Sequence, residues 1–185
     1  MTLHRKTCER FNTPGDAHEP TFSCFRRRGF LSRDRTLGYL AESIIRAKGQ
    51  HRFHVWAYVF MPEHVHLLLW PAVEEYSMED ILKSIKLPVA RKAVAYLRTN
   101  NPKGLSQLAT GQKHAAYRFW QAGGGYDRNL HSREAIKSAI DYLHNNPVRR
   151  ELAASPEDWP WSSAADWAGT RAGPVPLDKD SLPIL

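Results

Sequence analysis

Two histidines one residue apart, His64 and His66, stand in the apolar run Met61-Pro62-Glu63-His64-Val65-His66-Leu67-Leu68-Leu69-Trp70. Side chains of an extended strand alternate between its faces, so both imidazoles point one way while Val65 and Leu67 point into the opposite layer. Two imidazoles on one face of a strand are half of a metal site; the plainer reading is a pair of hydrogen-bonded strand-end histidines. No cysteine accompanies them, which argues against a structural zinc site. Position 68 is leucine where a hydrolase built on three alternating histidines would need a third.

A second set of candidates lies in Asp141-Tyr142-Leu143-His144-Asn145-Asn146-Pro147. Tyr142 and Asn146, four apart, share a face of a helix. Tyr142 offers a phenol, and Asn146 an amide oxygen that suits a hard cation. Two imidazoles and one amide oxygen leave open positions for phosphate oxygens and water, as a catalytic divalent ion requires. Taken alone, Tyr142 reads as a helix tyrosine with its ring in the core and its hydroxyl at the rim.

Composition narrows the class. The chain has 185 residues, 42% of them hydrophobic, with six tryptophans, enough to build one compact domain. Twenty-six Lys+Arg against nineteen Asp+Glu give a formal charge of +7, the balance of a protein with a polyanionic partner, although a basic surface can simply aid solubility. Two cysteines exclude a disulfide scaffold, and no apolar run approaches a membrane span, so a cytoplasmic protein with no membrane partner is expected.

The elements that must position these residues follow from periodicity. Residues 1–19 show none and read as a flexible lead-in. Thr21 to Phe25 has strand composition and runs into Arg26, Arg27 and Arg28. Leu37, Leu40, Ala41, Ile44 and Ile45 form a helical stripe, with Asp34 or Thr36 as its cap and Gly49 as its end. Phe53 to Phe60 and His64 to Trp70 predict a hairpin around Pro62. Ser77 caps a second helix that Pro88 kinks or splits, with Lys83, Lys86, Arg91, Lys92 and Arg98 along its polar side. Asn100 to Gly111 reads as loop, and Ala116 to Gln121 as a short strand. Ser132 caps a last helix that Pro147 stops. The order predicts an α+β, ferredoxin-like βαββαβ fold: an antiparallel sheet with helices on one face, plus a C-terminal active-site helix.

Met61-Pro62-Glu63-His64-Val65-His66-Leu67-Leu68-Leu69, then Tyr142-Leu143-His144-Asn145-Asn146-Pro147-Val148-Arg149, then Pro156-Glu157-Asp158-Trp159-Pro160-Trp161-Ser162-Ser163 resemble the motifs of REP-associated tyrosine transposases. These belong to the single-tyrosine HUH superfamily of small insertion-sequence transposases. Phe119-Trp120-Gln121 and Tyr126-Asp127-Arg128 fit as well, and the resemblance spans about residues 20–168. It implies a single-stranded DNA endonuclease and strand transferase acting on hairpin-forming repeats through a 5′-phosphotyrosine. On this resemblance Tyr142 is the nucleophile, and His64, His66 and Asn146 hold Mg²⁺ or Mn²⁺. Lys83, Lys86, Arg91 and Lys92, with Arg26, Arg27, Arg28, Arg149 and Arg150, would contact DNA, single-stranded and hairpin. The acceptor of the tyrosine proton stays open between Glu63, equally a turn residue, and His144.

The expected divisions are a lead-in at 1–19, a nuclease domain at 20–150 and an extension at 151–185 packed on it with a loose end. That longer extension favours a monomer over a dimer. Two other classes compete: a non-catalytic DNA-hairpin-binding protein, and a metal-dependent phosphohydrolase that uses water.

Overall fold

The computed structural model of the chain describes residues 11–123 and 125–183. Strands β3 (Phe53–Phe60) and β4 (His64–Pro71) form the expected hairpin. Pro62 cannot donate to a ladder, and the turn closes by a 2.8 Å bond from the Met61 N–H to the His64 carbonyl. The other edge of β4 carries β1 (Ala17–His18) and β2 (Thr21–Ser23) in one register, with His18 opposite Leu69 and Thr21 opposite His66. Pro20 has no N–H and divides this line in two, yet its carbonyl still accepts from the Leu67 N–H at 3.1 Å. Strand β5 (Asn129–Leu130) pairs antiparallel with β1. With β1 and β2 taken as one line, the order β3-β4-β1/β2-β5 is the antiparallel sheet of the ferredoxin-like pattern.

Two cores lie on either side of β4. Helices α1 (Asp34–His51) and α2 (Met78–Asn100) cover one face, setting Leu40, Ile44, Ile81 and Ile85 against Val65, Leu67 and Leu69. After a short helix α3 (Pro102–Ser106), helix α4 (Arg133–His144) covers the other face with Ile136, Ala139, Ile140 and Leu143 against Val59 and Leu68. The histidines face the α4 side, as the alternation of β4 requires. On β3 the register shifts between Val55 and Ala57, a bulge that turns both Trp56 and Ala57 into the α4 layer.

Helix α2 runs unbroken through Pro88 rather than splitting there. Proline removes the N–H that would serve the Ser84 carbonyl. The buried Ser43 hydroxyl of α1 replaces it, 2.8 Å from the Ile85 carbonyl and 3.3 Å from that of Ser84. Ser43→Ala leaves the Ser84 carbonyl short of a donor and is expected to cost about 1–3 kcal/mol, read as a lower urea midpoint at unchanged slope.

Other boundaries differ from the pattern reading. Helix α1 has no side-chain cap, includes Gly49, and ends at Arg52 in the left-handed region (φ 54°). The span 116–121 makes only isolated bridges, Cys24 to Trp120 and Ala109 to Tyr117; the paired strand is β5, further along. Part of the expected lead-in is strand β1, and the rest up to residue 10 lies outside the described residues. Helix α4 ends at His144, and Pro147 sits in the first turn of α5 (Asn146–Arg149).

The extension is held well past the point where a loose end was expected. Asp178 accepts from the Val55 N–H at 2.9 Å and from Lys48 at 2.7 Å, and Ser181 accepts from Trp56 Nε1 at 2.8 Å. Asp178→Ala strips a β3 amide of its acceptor and is expected to cost about 1–3 kcal/mol in chemical denaturation, with faster amide exchange at Val55.

Candidate active site

His64 and His66 lie side by side on β4, ring centroids 4.8 Å apart. Both are buried, and each has its Nδ1 held from behind. His64 Nδ1 is 3.0 Å from Glu63 Oε1, and His66 Nδ1 is 2.7 Å from Thr21 Oγ1, its neighbour across the β2–β4 ladder. An ionised carboxylate only accepts, so His64 must donate through Nδ1, which leaves its Nε2 lone pair for a ligand. Thr21 can accept from His66 in the same way.

The electrostatics keep the rings neutral. Burial pushes His66 down to about 3, with help from His64 and Arg149. Burial also lowers His64, against the opposing pull of Glu63. Burial alone would raise the Glu63 carboxyl, but His64 and the Arg150 guanidinium, 3.0 Å from Oε1, outweigh it and hold it below its ordinary range.

Tyr142 comes from the facing helix. Its ring stands edge-on to His66 with centroids 6.2 Å apart, and it is 48% exposed. The plainer expectation of a core tyrosine fails on that exposure. Arg149, on α5, lies over the same ring, 4.0 Å from its centroid. The site is thus assembled from β4 and the α4–α5 corner, with Arg150 reaching back to Glu63.

Asn146 is buried at this corner, but its side chain is spent on the end of α4. Nδ2 donates to the carbonyls of Tyr142 (3.0 Å) and Leu143 (3.3 Å), and Oδ1 accepts a long 3.3 Å bond from Arg149. Among the described residues no group of three or more His, Cys, Asp or Glu side chains is arranged to hold a metal ion. The protein donors to a divalent ion would then be the two Nε2 atoms, with Asn146 Oδ1 available once Arg149 releases it. Two fixed imidazoles would leave positions open for phosphate oxygens and water on a divalent ion held there.

The basic residues divide. Arg149 and Arg150 are at the site, and Arg27 is close enough to help lower His64. Arg26 lies against the Phe25 ring, and Arg28 donates to the Gln107 carbonyl at 2.9 Å. Arg26 and Arg27 take left-handed backbone in a tight turn (φ 56° and 51°), so the three arginines do not form one strand-end cluster. The α2 cations lie across the sheet from the histidines. Lys83 and Arg91 line a cavity of about 660 Å³ that also contains Arg46, Glu75 and Asp80. Lys86 sits over Phe22, and Lys92 pairs with Glu42 at 2.6 Å. His144, a candidate proton acceptor, is buried against Ser163 at 2.8 Å.

One residue of the site was not recognised from sequence, and another was named there for a different role. Thr21 had no signal, because its partnership with His66 exists only through strand register. Glu63 was ambiguous, and its bonds to His64 and Arg150 make it the holder of a ring.

Comparison with known proteins gives consistent neighbours. No protein-family model matches the chain. A curated Haemophilus influenzae protein described as "Putative REP-associated tyrosine transposase" is 25% identical over 142 residues, covering 70% of this chain and 73% of the relative. A solved structure of a REP-associated tyrosine transposase bound to a REP hairpin superposes with a TM-score of 0.66 at 19% identity, over 98% of this chain and 95% of that one. Among the described residues no helix is long and apolar enough to cross a membrane. The resemblance carried by three short motifs is thus met by a curated relative over most of the chain and by a shared fold over nearly all of it.

Proposed function

We propose that the chain is a transposase-type nuclease that cleaves and rejoins single-stranded DNA beside a hairpin, with Tyr142 as nucleophile. The observation that carries this is the edge-on approach of Tyr142 to His66 across two elements far apart in sequence. The relatives' printed descriptions, a REP-associated tyrosine transposase and one bound to a REP hairpin, support the substrate class. The +7 charge suits a phosphate backbone.

In this mechanism Tyr142 Oη attacks the scissile phosphorus and loses its proton. The bond from phosphorus to the 3′ oxygen breaks, and that oxygen leaves as a 3′-hydroxyl after gaining a proton. The new phosphotyrosine linkage keeps the phosphodiester bond energy, so an incoming 3′-hydroxyl reverses the step and joins strands. Thr21 and Glu63 keep the two rings turned with Nε2 forward, so no reorientation is needed during the step. Arg149 and Arg150 supply fixed positive charge beside the phosphate. A divalent ion bound at His64 and His66 would polarise the phosphate.

The test is incubation of the protein with a DNA hairpin carrying a single-stranded flank, with Mg²⁺ or Mn²⁺, followed by a denaturing gel. A protein–DNA adduct is expected. Cleavage without an adduct would point to hydrolysis by water, and salt-sensitive binding with neither product would point to a non-catalytic binder.

A further inference from the structure

The edge of the sheet beside the active site carries an aromatic side chain that the mechanism does not use. Tyr126 forms a reciprocal pair with Thr21: its N–H donates to the Thr21 carbonyl at 2.9 Å, and the Thr21 N–H donates to its carbonyl at 2.7 Å. The same register continues through Glu19 and Arg128 to Ala17 opposite Leu130. Residues 126–130 therefore extend the sheet beyond β1 and β2, and cross-strand partners share a face. Thr21 is opposite His66 on its other side. Tyr126, Thr21 and His66 consequently form one row across the sheet, all facing the α4 side.

Tyr126 is 58% exposed although both its N–H and its carbonyl are bonded to Thr21. The preceding residue makes this possible: Gly125 has φ +74°, and a Cβ there would collide with the Thr21 carbonyl. Two inter-strand spacings separate Tyr126 from His66, about 10 Å along the row. Arg128, next but one along the same edge, is held by Glu19 at 2.6 Å. An exposed aromatic on a fixed backbone, beside a guanidinium and one short step from a phosphate-cleaving centre, is the composition that stacks an unpaired base.

We infer that Tyr126 is a stacking platform for an unpaired base of the strand flanking the scissile phosphate, so the site recognises single-stranded DNA along this row as well as at the metal. This rests on the nuclease reading above. A base inside a duplex has both faces covered by its neighbours, whereas a base of a single strand can offer a free face to Tyr126, so the surface selects single strand over duplex without reading sequence.

The test uses two DNA hairpins with the same stem, one blunt and one with a single-stranded flank that contains 2-aminopurine. Tyr126→Ala is expected to weaken binding of the flanked hairpin about 10-fold and to leave the blunt one unchanged. Tyr126→Phe keeps a ring and is expected to bind both like the wild type, which also separates stacking from any role of the hydroxyl. Quenching of 2-aminopurine by the wild type and Tyr126→Phe, but not by Tyr126→Ala, completes the expected result. An unchanged thermal melt for each variant excludes misfolding as the cause. Equal loss for both hairpins, or no loss for either, in a protein whose wild type forms the tyrosine adduct, would overturn this inference alone. A wild type that forms no adduct and binds neither hairpin would overturn it together with the nuclease reading.

Discussion

Tyr142→Phe is expected to eliminate the covalent protein–DNA adduct and to lower strand cleavage by about 10⁴-fold or more, since the attacking oxygen itself is removed. The substitution takes away one oxygen and keeps the ring, so the edge contact with His66 and the Arg149 guanidinium above it both persist. The side chain is half exposed, so folding stability should change by no more than about 0.5 kcal/mol. Affinity for a flanked hairpin should stay near wild type. The measurement is a single-turnover time course on a denaturing gel, paired with a binding titration. An adduct that still forms in Tyr142→Phe would remove this residue from the role. Loss of binding in parallel with activity would instead make it a docking residue.

His66→Ala should abolish specific binding of Mn²⁺ to the protein alone, measured by calorimetry or electron paramagnetic resonance with no DNA present. It takes away one of two imidazoles, and among the described residues no carboxylate or thiolate cluster stands by to replace it. Thr21→Val is the more discriminating partner experiment. It matches the shape of threonine but cannot accept the His66 Nδ1 bond of 2.7 Å. The ring then loses its orientation, and Mn²⁺ affinity should fall about 10–100-fold while the fold persists. Wild-type Mn²⁺ affinity in His66→Ala would sink the ligand assignment. Wild-type affinity in Thr21→Val would leave the histidines as ligands but deny Thr21 its holding role.

The two variants also mark what could be read from sequence. His64 and His66 were legible because period-two alternation within one strand needs no tertiary information, and the hairpin around Pro62 follows from proline chemistry. Tyr142 was legible as a candidate through its motif. Thr21 was not, because register between strands is a property of the whole sheet. The strand line at 17–18 was hidden for a related reason. Asp16, His18 and Glu19 look like loop residues, but each is paired across the sheet or beside it: Asp16 with Asn129 and His131, His18 with Tyr76, Glu19 with Arg128. The edge run Tyr126-Asp127-Arg128-Asn129-Leu130 supplies some of those partners and has no hydrophobic alternation of its own. The aromatic span 116–121 looked more like a strand, yet Trp120 stacks edge-on against Phe22 and donates to the Lys86 carbonyl at 2.8 Å, covering the core rather than extending the sheet. Pro88 misled in the other direction, since the Ser84 carbonyl it leaves without a helical donor is reached by a serine on a different helix.

The bulge on β3 keeps the mooring of the extension apart from the pairing of the histidine strand. Val55 pairs with Leu69 and Ala57 with Leu68, so the ladder against the histidine strand would read continuously if Trp56 were not there. Trp56 is a surplus residue as far as the sheet is concerned, and its backbone and side chain are engaged elsewhere. Its carbonyl accepts from Trp167 Nε1 at 2.9 Å, its indole donates to Ser181, and its ring stacks on Trp70. A single inserted residue has given the extension a mooring point without shifting any partner of β4. The extension is thereby moored on β3 at a residue the ladder does not use, and the pairing that lines up His64 and His66 continues past it.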